Sequence, residues 1–252
     1  MSSVLIRGCP IGEGRPKVIL PIVERNETAI LKKAAEFSTK KADCVEWRAD
    51  RFADVLDPDA LRRCLQGLRD RLGGMLLLVT FRTRDEGGEM ALTREQYEAF
   101  CAAVCASGCA DLLDLEFFPC GDTLPRLIAQ AHAAGMKVIC SSHDFQKTPS
   151  RTELVARMVA MQQAGADLPK LAVMPTCQAD VLELLAATAE MTECHPETPV
   201  ITMSMGALGA VSRLCGEAFG SAMTFANPGQ ASAPGQVPLD VVNTVLESLK
   251  ME

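Results

Sequence analysis

Eight times along the chain a short apolar run is followed by a longer stretch of helical periodicity, and that alternation constrains the fold more than any other feature. The strand-like runs are 17–23 (KVILPIV), 44–50 (CVEWRAD), 75–81 (MLLLVTF) and 111–116 (DLLDLE), then 136–142 (MKVICSS), 169–175 (PKLAVMP), 199–205 (PVITMSM) and 221–226 (SAMTFA). Helical spacing follows over 27–40, 58–71, 93–107, 122–134, 150–164, 178–193, 207–217 and 238–250. Strands joined through helices run parallel, because the crossover returns the chain to the same end of the sheet. Eight such units in 252 residues predict an α/β chain folded as a (β/α)8 TIM barrel. A doubly wound sheet shares the alternation, but no GxGxxG fingerprint opens the first unit.

The helix boundaries carry their own chemistry. Asp57-Pro58, Thr93 with Gln96, Asp122, and Ser150 with Glu153 fit N-caps or capping boxes. Gly108, Gly135 and Gly165 stand where helices should stop. Residues 1–15 precede the first strand and contain "GCPIGEG", which predicts a short hairpin closing the bottom of the barrel. No composition break divides the chain, so residues 1–252 read as one domain.

Composition narrows the partners. Asp and Glu number 32 against 25 Lys and Arg, a net charge of −7, and no basic tract appears, which argues against nucleic acid. An anionic small molecule would need arginines gathered locally against that field. "MSSVLIRGCPIGEG" holds only a three-residue apolar run before Arg7, unlike a secretory leader. No run approaches the ~20 apolar residues of a membrane span, so the reading is cytoplasmic with no membrane partner. Eleven cysteines are scattered without a CxxC pair. Cys101, Cys105 and Cys109 fall along one helix side, but a second ligand pair is missing, so they read as buried reduced thiols and not a metal site.

In a barrel, alternate strand residues point inward and function collects at the C-terminal strand ends. Glu46, Arg48 and Asp50 share one face of "VEWRAD", as Asp114 and Glu116 share one face of "DLLDLE". Arg82 ends the third strand and Glu86 follows it; His143 ends the fifth; Arg213 follows the seventh; Ser232 and Gln236 follow the eighth. Inward charges can simply pair, Glu46 with Arg48 for example. Charges on five or more strands, all near one end, favour a site. His132 and His195 fall in or just after helices and read as solvated.

Lys170 sits inside an apolar strand, "LPKLAVMP". Near the start of its strand it could snorkel to water. Its stem is also long enough to reach up the barrel axis. There a low-dielectric, partly cationic pocket would lower its proton affinity and leave an amine that attacks ketones. A protonated imine acidifies the neighbouring carbon, and a base such as His143, one strand (~4.8 Å) away, can take that proton.

Taken together, "VEWRAD", "TFR…EGGE", "DLE", "HDFQKTP", "PKLAVMP", "ITMSM", "SRLCGEAFGSAMTFA" and "ASAPGQ" resemble type I 3-dehydroquinate dehydratase over nearly the whole chain, in order. The resemblance implies a homodimeric barrel enzyme of the shikimate pathway that dehydrates 3-dehydroquinate to 3-dehydroshikimate with no metal or organic cofactor. It implies that Lys170 forms the Schiff base and that His143 is the general acid and base, oriented by Glu86. It implies that Arg213 holds the substrate carboxylate, that Glu46, Arg48, Arg82, Ser232 and Gln236 bind hydroxyls and carboxylate, and that Met203, Met205, Phe145 and Phe225 wall the ring. Residues 227–236, rich in Pro, Gly and Ser, would form a lid.

Two positions depart from the resembled pattern. Pro21 stands where a substrate-touching serine is expected, and Gly206-Ala207 follow "MSM" where a small polar residue and a lysine are common, which would loosen that loop. Two other functions share these residues. A class I aldolase would use the same lysine but needs phosphate-binding loops, for which "MSMGALGA" is a weak candidate. A non-catalytic relative would lack Lys170 or His143, and both are present.

Overall fold

The computed structural model describes residues 2–229 and 233–251. Strands β1 (Val4–Ile6) and β2 (Cys9–Ile11) form an antiparallel hairpin. The barrel strands are β3 (Lys17–Ile22), β4 (Cys44–Arg48), β5 (Leu76–Thr80), β6 (Leu112–Glu116), β7 (Lys137–Asp144), β8 (Leu168–Val173), β9 (Ile201–Ser204) and β10 (Met223–Asn227). They pair in parallel in chain order, and β10 returns to β3. The ring closes at a parallel bridge between Val200 and Ser221. A two-residue strand, β11 (Val237–Pro238), extends β10.

Outside the ring lie α1 (Glu27–Phe37), α2 (Pro58–Leu72), α3 (Arg94–Ser107), α4 (Phe117–Cys120), α5 (Leu124–Ala133), α6 (Arg151–Gln163), α7 (Gln178–Cys194), α8 (Gly216–Phe219) and α9 (Leu239–Ser248). The expected (β/α)8 barrel is therefore present. Thr93 accepts from the Gln96 N–H while the Gln96 side chain accepts from the Thr93 N–H, closing the capping box. Asp57 and Ser150 cap α2 and α6. Asp122 does not cap: a short helix, α4, and a 3-10 turn come first, and Asp122 pairs with Arg94 instead.

The expected helix over 207–217 is not formed. A 3-10 turn (Ala210–Arg213) and the four-residue α8 replace it. Gly209 passes so close to β9 that a Cβ there would lie 2.4 Å from the Ser204 carbonyl, and Ser212 Oγ donates to Gly209 O. That tight turn aims Arg213 inward, where it is buried.

Strand alternation divides the interior in two. Outward residues such as Val45, Trp47, Val79, Leu113 and Leu171 pack beneath the helices. Inward residues in the lower half, including Ile19, Leu76, Leu112, Ile139, Leu168 and Ile201, form a second apolar layer with Ile6 and Ile11 of the hairpin. The hairpin thus closes the bottom. Arg7, held at φ +46, pairs there with Asp111, which also binds Arg69 at 2.8 Å. Higher up, the inward positions change to Glu46, Asp114, Ser141 and Lys170, all buried. Cys101, Cys105 and Cys109 are buried, and burial pushes the Cys101 thiol well up. No helix among the described residues is long and apolar enough to cross a membrane.

Candidate active site

A cavity of about 200 Å³ opens at the C-terminal ends of the strands. That is below the ~300–1,000 Å³ of drug-sized ligand pockets and suits one small ring. Glu46, Arg48, Arg82, Glu86, His143, Phe145, Lys170, Met203, Met205, Arg213, Phe225 and Gln236 all line it. Ser232 lies outside the described residues. His132 instead meets Asp167 at the surface, and His195 ends α7.

Lys170 does not snorkel: it is 3% exposed. Its Nζ donates to Asp114 Oδ2 at 3.4 Å and lies 4.9 Å from the Phe225 ring centroid. Burial pulls the ammonium below its ordinary pKa, Arg82 adds to that, and Asp114 opposes it. The charge that Lys170 brings inside is therefore matched by one carboxylate but remains easier to neutralise than in water.

His143, on β7, is held by a carboxylate from the loop after β5. Its backbone N–H and its Nδ1–H both donate to Glu86 Oε2, at 3.1 and 2.8 Å. Phe145 stacks on the imidazole at 6.3 Å. The Glu86 loop folds back tightly: at Gly88 a Cβ would sit 1.9 Å from the Arg82 carbonyl oxygen, so only glycine fits. Burial pushes the Glu86 carboxyl up to about 8, against Arg82. Burial, with Arg82, Lys170 and Arg48 nearby, pulls the His143 imidazole well down. Sharing one hydrogen bond, the two groups titrate as a pair. With the pair deprotonated, Nδ1–H points at the carboxylate and Nε2 keeps its lone pair; one further proton places a hydrogen on Nε2. The pair is a base in one state and an acid in the next.

The arginines divide by partner. Arg82 sits on the axis with Nη2 on Asp114 (3.0 Å) and Nη1 on Glu116 (2.8 Å), Ser141 (3.0 Å) and Glu86 (3.5 Å). It lines the cavity while bonded to three carboxylates and Ser141. Arg48 does not pair with Glu46; it grips Asp50 in a bidentate pair at 2.8 Å, while Glu46 accepts from Thr80 at 2.9 Å. Arg213 is different. Its Nη1 touches Met203 Sδ (3.5 Å), its Nη2 donates to Pro234 O (3.1 Å), and its buried Nε has no partner. Among the described residues no carboxylate pairs with it, and burial alone lowers it to about 10. A buried cation without an anion, facing a cavity, has the chemistry to bind a ligand's carboxylate.

The family model for type I 3-dehydroquinase matches residues 18–252. The chain belongs to that family. It is 45% identical over 247 residues to the 3-dehydroquinate dehydratase of Clostridium kluyveri, covering 98% of this chain and 97% of that protein. The type I 3-dehydroquinate dehydratase of Clostridium difficile, in a structure with covalent modified comenic acid, superposes with a TM-score of 0.96 at 43% identity, over 98% of each chain. The 3-dehydroquinate dehydratase of Enterococcus faecalis gives a TM-score of 0.92 at 42% identity, over 98% of this chain and 100% of that one.

Within this 3-dehydroquinase fold, the residues that depart from the expected pattern have plain geometry. Pro21 is in register with Glu46 and offers no side-chain hydrogen bond. The Gly206 N–H donates to Pro234 O at 3.3 Å, which stitches the loop after β9 to residues 233–236. That leaves the glycine-rich "MSMGALGA" turn with its first amides already used: Met205 N–H donates to Val173 O and Ser204 N–H to Ser212 Oγ. Asp114 and Ser141 have no role assigned from sequence, and Arg51, Gly87, Ala172, Ala233 and Pro234 line the cavity without standing among the sequence candidates. Arg51 follows "VEWRAD" by one position, inside the run of strand-end charges, and that spacing was the available signal.

Proposed function

We propose that this chain dehydrates 3-dehydroquinate to 3-dehydroshikimate by syn elimination through a Schiff base on Lys170. The observation that carries this reading is one small cavity holding a buried lysine, an imidazole tied to a carboxylate, and an arginine with no carboxylate of its own. The Lys170 amine attacks the C3 ketone, and the carbinolamine loses water to give a protonated imine. His143 removes a C2 proton, the enamine expels the C1 hydroxyl, and His143 returns the proton so that water leaves. Hydrolysis of the imine frees the product, for a net loss of one water. Arg213 binds the carboxylate, and Glu46, Arg48, Arg82, Ser232 and Gln236 contact the hydroxyls and carboxylate. Met203, Met205, Phe145 and Phe225 wall the ring. The chemistry needs no metal or organic cofactor.

The enzyme works in this reading as a cytoplasmic homodimer of single-domain chains, with residues 227–236 as the lid, of which 230–232 lie outside the described residues. Ala233, Pro234 and Gln236 at the cavity wall support the lid. The relatives' names support the substrate. The test is direct. The purified protein given 3-dehydroquinate should produce the conjugated acid, seen by its ultraviolet absorbance, and substrate deuterated on one face of C2 should lose label only from the face of the departing hydroxyl. No product, or label lost from the opposite face, would contradict the assignment.

Glu86→Gln should lower kcat by about 10–100-fold, since it loosens the group that orients the imidazole. It should also move the acid limb of kcat/KM to lower pH. The pair takes up one proton shared between Glu86, pushed up to about 8, and His143; without the carboxyl that proton must go on the ring alone, which burial and the nearby cations hold well down. A variant with the wild-type pH profile would show that Glu86 does not tune His143.

A further inference from the structure

We infer that Asp114 is the counter-ion of the protonated Schiff base, holding the imine nitrogen cationic while His143 removes the C2 proton. This rests on the Schiff-base reading above. Asp114 is 1% exposed, and its two oxygens are divided. Oδ1 accepts from Arg82 Nη2 (3.0 Å) and Ser141 Oγ (2.7 Å), which fixes the carboxylate; Oδ2 is left facing Lys170 Nζ at 3.4 Å. Among the described residues no other carboxylate lies within ion-pair distance of that nitrogen. The Phe225 ring face is on the nitrogen too, and a ring face also favours a cation.

The polar and titratable groups around this pair come from β4, β6, β7 and the segment after β5, and β9 itself carries none that titrates. Arg82 follows β5, Glu46 is on β4, Glu116 on β6, Ser141 and His143 on β7, and Glu86 on the loop after β5. Glu116 and Glu86 are engaged by Arg82, and Glu46 by Thr80. Burial raises Asp114, but Arg82, Lys170 and Ser141 outweigh it, so the carboxyl stays below the ordinary range and remains an anion.

The charge on nitrogen changes through the reaction. It is +1 in the iminium formed when the carbinolamine loses water. It falls to zero when the C2–H electron pair moves into C=N⁺ and the proton goes to His143. It returns to +1 when the enamine expels hydroxide from C1, which His143 protonates to water. Both cationic states need the imine to keep its proton, and a fixed anion beside the nitrogen secures that. Asp114 by itself opposes formation of the free amine, which burial and Arg82 promote. Its role is thus in the intermediate, and it acts through Lys170 as a positioning and charge-setting residue.

Asp114→Asn keeps the shape and can still accept from Arg82 and Ser141. The variant should trap an adduct on Lys170 with borohydride at low pH. Its kcat at neutral pH should fall about tenfold or more, with the alkaline limb of kcat moved down by about one unit or more, since a tenfold change corresponds to one pK unit. Asp114→Glu, which restores the charge, should return the limb toward its wild-type position. An Asn variant whose kcat falls equally at every pH, or whose alkaline limb is unmoved, would overturn the proposal and leave Asp114 a structural residue. Wild-type protein that turns over yet traps no adduct would instead remove the Schiff-base reading beneath it.

Discussion

Lys170→Met is expected to abolish dehydration, lowering kcat by at least about 10⁴-fold, the scale seen when a nucleophile is removed. The same change should leave the fold as stable as before or make it more stable. Lys170 is buried and its pKa is lowered from the ordinary 10.5. A lysine so held opposes folding at every pH below its folded-state pKa. The opposition fades as pH rises toward the unfolded value. Methionine removes that cost at neutral pH, fills a similar volume, and leaves Asp114 paired with Arg82 and Ser141. Thermal unfolding and steady-state kinetics on one preparation check both halves. A variant that loses activity because it unfolds would contradict the account.

Arg213→Gln should lower kcat/KM by about 10²–10³-fold, mostly through KM, because removing one partner of a desolvated charge pair costs several kcal/mol. Substrate and transition state carry the same carboxylate, so the loss falls on binding common to both. Arg213→Lys should recover little, since a point ammonium does not reproduce two parallel N–H donors. Here too stability should not fall with activity. Burial alone lowers Arg213 to about 10, so its charge opposes folding at pH values below that and less so above. Equal losses in kcat with unchanged KM would show that Arg213 does not hold the ground-state carboxylate.

These predictions show what was legible in the residues. The barrel was, because each strand's burial pattern is local and the start signals at Thr93 and Ser150 are chemical. The end that carries the polar cavity was too, because residues two apart on a strand must share a face, as Glu46 and Arg48 do. The partners were not. Lys170 on β8 and Asp114 on β6 stand 56 positions apart, and nothing within either strand reveals that the ring brings them together across β7. Arg48 turns to Asp50 because a 3-10 turn starts at Ala49 and folds the next carboxylate back. Arg82 has one carboxylate four residues on, Glu86, but its other two, Asp114 and Glu116, come from β6, and nothing local to Arg82 announces them. The helix expected over 207–217 failed for a related reason: apolar spacing does not report that Gly209 must touch β9.

One measurement bears most directly on the central claim. The protein is mixed with 3-dehydroquinate, reduced with borohydride, digested, and mapped by peptide mass. The account predicts one modified peptide, the one carrying Lys170, with the ring attached through a secondary amine, and inactivation in step with its appearance. Unmodified Lys170 in protein that still turns over, or an adduct on another lysine, would contradict it.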